Sequence, residues 1–210
     1  MSNNCKKILY KQNPLFSYSN RNTRTVFMDR DGVIIKDVNY IKNPADVVLE
    51  KGIISLFEIL FENKIPVIIV TNQSGIERGL FNWNDYEKVT LKMNQLIGKS
   101  SPIIGIYANG FSSNDGSHSW RKPNPGMIIE ASLDLNININ KSILIGDRLS
   151  DMKAGLEAGV EKLFHVLSGH GKSERKNILL SVKKSKLFLN NKSTKIFFLN
   201  DMVNFPYNQI

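Results

Sequence analysis

The segment TVFMDRDGV, residues 25–33, gives the clearest indication of the fold. Its first four residues form a short apolar run that predicts a buried β-strand. The run ends at two acidic residues, Asp29 and Asp31, which are separated by one arginine and followed by a glycine. A buried strand that delivers two carboxylates at its carboxyl end is typical of a ligand site at the edge of an α/β sheet.

Strand and helix patterns alternate along the rest of the chain. Continuous apolar runs predict further strands at residues 65–70, 103–107, 142–145 and 162–166. Helical spacing and capping residues predict helices at residues 53–60, 82 or 84 to about 98, 125–135 and 151–158. Because these strands are apolar throughout, both faces of the sheet should be covered. We therefore predict an α/β fold, a Rossmann-like three-layer sandwich with a mostly parallel central sheet.

The spacing of the polar residues at the strand ends predicts a site without a separate cap domain. Thr71 follows Asp29 by 42 residues, and Lys122 follows Thr71 by 51. Each interval is filled by one helix, one strand and a loop. We therefore expect an open site that is covered by loops only.

Composition and charge narrow the class of protein. The chain has 210 residues and a net charge of +9, and its basic excess lies in residues 1–25 and 171–210. A single cysteine excludes an intramolecular disulfide and a cysteine-rich metal site, and no apolar run is long enough to cross a membrane. We expect a cytoplasmic, monomeric protein with a polar N-terminal extension that is irregular or partly ordered (1–23). A single domain should follow (24–205), with a basic segment from about residue 171.

Acidic and hydroxyl groups end three of the predicted strands, so they should meet at one edge of the sheet. Asp29 and Asp31 follow the first strand, Thr71 follows the second, and Asp147 follows the fourth. Convergent carboxylates suit Mg²⁺, which prefers oxygen ligands, and a carboxylate can also accept a phosphoryl group. Lys122, just before a predicted helix, could attract an anion. These groups together predict phosphoryl transfer.

The order of these motifs resembles that of the haloacid dehalogenase superfamily of phosphatases. The resemblance implies that Asp29 is the nucleophile and that Asp31 is the general acid and then the base. It also implies that Asp29, the Asp31 carbonyl and Asp147 hold Mg²⁺, and that Thr71 and Lys122 steady the transferring phosphoryl group.

The sequence around two motifs is similar to that of the histidinol-phosphatase and heptose bisphosphate phosphatase branch of that superfamily. The segments are VTNQSGI with Arg78-Gly79, residues 70–79, and RKPNPGM, residues 121–127. The branch implies a small phosphorylated metabolite of carbohydrate metabolism, with the sugar bisphosphate heptose 1,7-bisphosphate favoured. Enzymes of this branch usually carry a zinc loop of three cysteines and one histidine before the second segment. Residues 109–120 hold only His118 and no cysteine, so we expect no structural zinc.

Several residues near the motifs are candidates for substrate binding, each with a plainer alternative. A role in surface-loop structure, in a local ion pair or in solvation would explain the same residue types equally simply. The candidates are Asp37, Tyr40, Asn72, Gln73, Ser74, Arg121 and Arg148. Arg121 is singled out because a guanidinium beside Lys122 could hold a second phosphate. Asp151 could orient a neighbouring group or cap a helix, and the three histidines are expected to be structural.

Other functions stay open at the level of sequence. The same motifs fit a histidinol-phosphate phosphatase, and the basic ends of the chain leave room for a polynucleotide 3′-phosphatase, although we do not expect a nucleic acid partner. A scaffold that only binds is disfavoured, because all four motif groups are intact.

Overall fold

Seven strands form a single sheet in the computed structural model, which describes residues 4–10, 24–112, 120–184 and 194–210. The strands are β1 (Cys5–Leu9), β2 (Val26–Met28), β3 (Val67–Asn72), β4 (Ile103–Asn109), β5 (Ile143–Gly146), β6 (Lys162–His165) and β7 (Lys195–Phe198). Their order in the sheet is β1-β4-β3-β2-β5-β6-β7. Only β1 runs antiparallel to its neighbour, and all the other neighbouring strands are parallel. The predicted mostly parallel α/β sheet is confirmed.

Helices cover both faces of the sheet. They are α1 (Ile53–Glu62), α2 (Trp83–Ile97), α3 (Gly126–Asp134), α4 (Leu149–Ala158) and α5 (Gly171–Lys184). One buried core joins α1 and α2 to Val26 and Met28 of β2, and a second core joins α3, α4 and α5 to Phe27. Successive residues of a strand point to opposite faces, so β2 contributes to both cores. This arrangement confirms the three-layer sandwich, and the strands of the described residues leave no second sheet for a cap.

The topology brings two acidic strand ends together at the centre of the sheet. From β2 the chain builds outward through β3 and β4 on one side, and β5, β6 and β7 extend the other side. Strands β2 and β5 are therefore neighbours, with Met28 opposite Ile145. Asp29 and Asp147 follow these strands at the point where the direction of winding reverses. Ligand sites of open α/β sheets lie at such a point.

The N-terminal stretch was predicted as irregular or partly ordered, and part of it forms a strand. Cys5–Leu9 form β1, which pairs along its length with β4. The sequence CKKIL carries two lysines, and charged side chains are common on exposed edge strands. Lys7 forms an ion pair with Asp134 of α3 at 2.6 Å. Residues 11–23 lie outside the described part of the chain, and the proposed domain boundary at residue 24 stays a prediction.

The C-terminal segment holds two elements that were not predicted. Helix α5 is rich in lysine, and Ile178 is its fully buried apolar residue. Weak apolar periodicity explains why this helix was not predicted. Strand β7 extends the sheet beyond β6 and contains a short apolar run, residues 196–198, that was not recognised as a strand. Among the described residues, every helix is too short or too polar to cross a lipid bilayer.

Candidate active site

A buried lysine joins two carboxylates at the centre of the sheet edge. The Nζ atom of Lys122 lies 3.1 Å from Oδ2 of Asp29 and 2.6 Å from Oδ1 of Asp151. It also donates a hydrogen bond of 2.9 Å to the carbonyl of Val70 on β3. The other oxygen of Asp29 accepts the backbone N–H of Arg30 at 2.7 Å. Asp29 is thus held in one orientation at the end of β2, with a cation beside its carboxylate.

Burial opposes the charges of this cluster. It raises the pKa of Asp29, and the charge of Asp151 raises it further, while Lys122 acts in the opposite direction. Burial also lowers the pKa of Lys122, but the two carboxylates outweigh burial, and the pKa of this lysine is raised. Lys122 therefore stays protonated and is the main compensation for two buried acids.

Replacement of Lys122 tests how much this lysine contributes to the stability of the fold. Lys122→Met should lower the free energy of unfolding by about 3–5 kcal/mol, because the carboxylates of Asp29 and Asp151 would remain buried without their cation. Urea unfolding followed by circular dichroism measures the change. Lys88→Met, at an exposed position of α2, is the matched control and should change the stability little. Equal stability of the two variants would show that Lys122 does not compensate the buried acids.

Asp147 supplies a third carboxylate whose bonding is incomplete. Its side chain is fully buried after β5, and Oδ2 accepts the backbone N–H of His170 at 2.7 Å. Oδ1 has no hydrogen-bond partner among the described residues. Burial, together with the charges of Asp151 and Asp29, raises the pKa of Asp147 to about 8. Oxygen atoms of these three acids lie within 4.8 Å of one another. A divalent cation would fit this donor set and offset the repulsion.

Two glycines leave the space that Asp147 occupies. A Cβ atom on Gly32 would lie 2.7 Å from Oδ2 of Asp147, and one on Gly169 would lie 2.4 Å from the same atom. Both glycines also have positive φ, at 83° and 54°. Any larger residue would be strained and would displace the carboxylate. The glycine after Asp31 in the first motif is therefore explained by the packing of Asp147.

Asp31 is held at the mouth of the site by a polar network. The guanidinium of Arg30 donates to both oxygens of Asp31 at 3.0–3.3 Å. The amide nitrogen of Gln73 donates to Oδ2 of Asp31 at 2.7 Å and to the hydroxyl of Thr71 at 2.8 Å. The amide oxygen of Gln73 accepts from Arg30 at 3.1 Å. Arg30 is itself fully buried, with its guanidinium over the ring of Tyr86. Gln73 thus connects two predicted catalytic residues and orients them.

Asn72 holds the backbone of Lys122 in place. Its side-chain amide donates to the Lys122 carbonyl at 3.0 Å and accepts the Lys122 N–H at 3.1 Å. Asn72 and Gln73 were both predicted as substrate contacts. Both line the cleft, but their side-chain amides already bond to neighbouring protein groups. A positioning role accounts for this geometry.

The remaining substrate candidates line one open cleft above the acids. They are Asp37, Tyr40, Ser74, Arg121 and Arg148. Asp31 and Lys122 also face this cleft, whereas Thr71 and Asp147 lie buried beneath it. The fold therefore brings every predicted site residue to one edge of the sheet, and the role of each stays a prediction.

Arg78 and His170 line the cleft and were not predicted as site residues. Arg78 donates to the hydroxyl of Tyr40 at 2.8 Å, and Nε2 of His170 lies 2.9 Å from Oδ2 of Asp37. The only signal for Arg78 was its place in the Arg-Gly pair after the Thr71 motif. His170 is brought in by the loop after β6, which no local pattern indicates.

Three arginines make the rim of the cleft strongly positive. Burial lowers the pKa of Arg121, and the charges of Arg78 and Arg148 lower it further. Arg121 donates to the carbonyl of Phe111 at 2.8 Å, and the guanidinium of Arg148 lies 3.6 Å from Asp37. Like charges that destabilise one another around a cleft favour a bound anion.

The loop predicted to lack zinc, residues 109–120, is described only in part. Residues 113–119, which include His118, lie outside the described residues, so the absence of zinc stays a prediction.

Comparisons with known proteins identify phosphatases that are similar to this chain. Residues 119–189 match the HAD-hydrolase-like family. A D-glycero-alpha-D-manno-heptose-1,7-bisphosphate 7-phosphatase of Photorhabdus laumondii is 37% identical over 166 residues, which cover 75% of this chain and 91% of that protein. The corresponding beta-anomer enzyme of Mesorhizobium japonicum is 35% identical over 142 residues, which cover 64% of this chain and 65% of that protein.

A solved structure supports the fold. The D,D-heptose 1,7-bisphosphate phosphatase of B. bronchiseptica, complexed with magnesium and phosphate, superimposes with a TM-score of 0.71 at 24% identity. The match covers 86% of this chain and 94% of that one.

Proposed function

This chain belongs to the haloacid dehalogenase superfamily of phosphatases, in the branch of the heptose bisphosphate phosphatases, and on that premise we propose that it removes the 7-phosphate from D-glycero-D-manno-heptose 1,7-bisphosphate. The observation that carries the proposal is the pairing of two features in one cleft. Asp29, oriented by Lys122, lies at its floor, and three arginines lie at its rim. The names of the two relatives supply the sugar.

The proposed hydrolysis of the phosphate ester uses the carboxylates of Asp29 and Asp31 in the roles that the family resemblance implies. A carboxylate oxygen of Asp29 attacks the phosphorus atom, and the bond from phosphorus to the sugar oxygen breaks. Asp31 donates its proton to the departing sugar oxygen. Asp31 then takes a proton from water, whose oxygen attacks the phosphorus of the aspartyl phosphate. Inorganic phosphate leaves, and the Asp29 carboxylate is restored.

Two acids and one carbonyl would hold a magnesium ion in this site. Asp29 and Asp147 were predicted as ligands together with the carbonyl of Asp31, and Asp151 lies in the same cluster. Oδ1 of Asp147 has no hydrogen-bond partner among the described residues, so it is available as a metal ligand. When bound, Mg²⁺ would neutralise charge on the phosphoryl oxygens and carboxylates. Lys122 supplies a further fixed positive charge beside Asp29.

A second phosphate explains the arginines at the rim. One phosphoryl group must lie beside Asp29 and Lys122 at the floor of the cleft. Arg121 is next to Lys122 in the chain and faces the same cleft, with Arg78 and Arg148 close enough to perturb it. A bisphosphate would place its second anionic group among these cations. A monophosphate would leave them with their protein partners alone, which are the Tyr40 hydroxyl, the Phe111 carbonyl and Asp37.

Removal of Arg121 tests the substrate class. Arg121→Ala should raise KM for heptose 1,7-bisphosphate at least about tenfold, since a charge-assisted hydrogen bond is lost. The same variant should hardly change KM for heptose 7-phosphate. Steady-state phosphate release measures both constants. Arg24→Ala is the matched control, because Arg24 precedes β2 at the opposite edge of the sheet and pairs with Glu161.

The outcomes separate the competing substrates. Equal effects of Arg121→Ala on the two sugars would remove Arg121 as a contact to the second phosphate. Turnover of histidinol phosphate or of a 3′-phosphorylated oligonucleotide, with none of the heptose bisphosphate, would reject the proposed substrate. A steep loss of oligonucleotide turnover as the salt concentration rises would favour a polynucleotide 3′-phosphatase. A cytoplasmic location and a monomeric state remain predictions of the same proposal.

A further inference from the structure

A histidine outside the cleft hydrogen-bonds to the main chain of Asp147, and an arginine hydrogen-bonds to that histidine. His165 is the last residue of β6 and is fully buried. Its Nε2 atom lies 2.9 Å from the carbonyl oxygen of Asp147, and its Nδ1 atom lies 2.7 Å from Nε of Arg175. Arg175 belongs to α5, so the contact joins the C-terminal helix to the strand end that carries Asp147.

The donors in this chain of contacts are fixed by chemistry. An arginine N–H can only donate, so Nδ1 of His165 must accept. The proton of the neutral ring then lies on Nε2, which donates to the Asp147 carbonyl. The ring that accepts from Arg175 is therefore neutral, and Arg175 selects its tautomer.

Arg175 is itself held firmly by several groups. It donates to the carbonyls of His165 and Leu199, and its guanidinium lies over the ring of Phe198 at 5.0 Å. These contacts tie α5 to the end of β7. The position of the His165 ring is thus set by two C-terminal elements that do not line the cleft.

We propose that His165, oriented by Arg175, is a positioning residue that holds Asp147 in the geometry required for the metal. The inference rests on the proposed function, because it concerns the same Mg²⁺. Asp147 is restrained at two points: its carbonyl by His165 and its Oδ2 by the N–H of His170. Its remaining oxygen, Oδ1, has no hydrogen-bond partner among the described residues, and Asp147 lies in the acidic cluster with Asp29 and Asp151. Loss of a residue that orients a ligand typically weakens metal binding 10–100-fold.

Calorimetric titration of the substrate-free full chain with Mg²⁺ tests this role. His165→Leu should raise the Kd of Mg²⁺ about tenfold or more, because the Asp147 carbonyl loses its donor. His165→Gln keeps an N–H at a similar reach and should stay within about threefold of the wild-type Kd. Arg175→Met should raise the Kd at least about threefold, since the tautomer is no longer selected.

A matched variant separates positioning from general stability. Ile178→Ala removes a buried side chain of α5 that belongs to the apolar core on that face of the sheet. It should lower the melting temperature, but the Kd of Mg²⁺ should stay within about twofold of wild type. A merely structural role for His165 would make His165→Leu behave in the same way.

The results decide the inference whatever their direction. An unchanged Kd in folded His165→Leu, or an equal rise in Ile178→Ala, overturns it. Should His165→Leu fail to fold, Arg175→Met carries the decision, and a wild-type Kd in that variant overturns the inference. Wild-type protein that binds no Mg²⁺ and hydrolyses no phosphate ester overturns the proposed function and the inference with it. Wild-type protein that does both, beside variants with unchanged Kd, overturns the inference alone.

Discussion

Asp29→Asn is expected to reduce turnover by roughly three orders of magnitude or more while the protein stays folded, as is typical when a nucleophile is removed. The amide that replaces the carboxylate is a poor nucleophile and a weaker ligand for Mg²⁺. The fold should survive because Lys122 keeps its contacts to Asp151 and to the Val70 carbonyl. Phosphate release under saturating substrate measures the loss, and circular dichroism checks the fold.

A second measurement on the same variant examines the covalent step. Acid quenching of wild-type protein during turnover of radiolabelled substrate should trap label on the chain. The Asp29→Asn protein should trap none. Asp46→Asn, at an exposed acid in the loop before α1, is the matched control and should label like wild type. Near-normal turnover in purified Asp29→Asn protein would contradict a mechanism through aspartyl phosphate.

The parts of the site that could be predicted are those that a local pattern encodes. The run before Asp29 is apolar over consecutive residues, so it identifies a strand and places the acid at its end. Asp147 is located in the same way at the end of β5. Because the carboxyl ends of parallel strands share one edge, two local patterns were sufficient to predict that the two acids meet.

The parts that could not be predicted depend on contacts between distant residues. Nothing in the sequence near Gln73 indicates that its amide bonds to Arg30 and Asp31, which lie more than 40 residues earlier. The clamp of Asn72 on the backbone of Lys122 spans 50 residues. Both residues have polar side chains beside a catalytic motif, so substrate contact was the natural prediction. Only the folded structure assigns their hydrogen bonds to the protein.

Contacts between distant residues also explain the strand at the N-terminal end of the chain. β1 carries two adjacent lysines and forms because β4, about 100 residues later, offers it an edge. Pairing, rather than local composition, therefore accounts for this strand. β7 differs, because residues 196–198 form a short apolar run like those of the central strands. A local pattern for β7, which extends the sheet beside β6, was therefore present in the sequence and was missed.

Removal of divalent cations should lower turnover by roughly three orders of magnitude, because neutralising charge on a phosphoryl group is worth several kcal/mol. EDTA followed by dialysis gives the metal-free protein, and added Mg²⁺ should restore activity. The structural reason is the buried set of Asp29, Asp147 and Asp151, whose mutual repulsion Lys122 offsets through its contacts to Asp29 and Asp151.

Mg²⁺ should also stabilise the protein in the absence of substrate. A ligand that binds only the folded state contributes about 2.7 kcal/mol at one hundred times its Kd. The melting temperature should therefore rise with Mg²⁺ in wild type and in the control Asp46→Asn, and much less in Asp147→Asn, which loses a carboxylate of the cluster. Full activity after metal removal, or the same rise in melting temperature for Asp147→Asn as for wild type, would show that the acidic cluster does not serve as the metal site. The two readouts are independent, because one follows the bound phosphoryl group and the other follows the carboxylates alone.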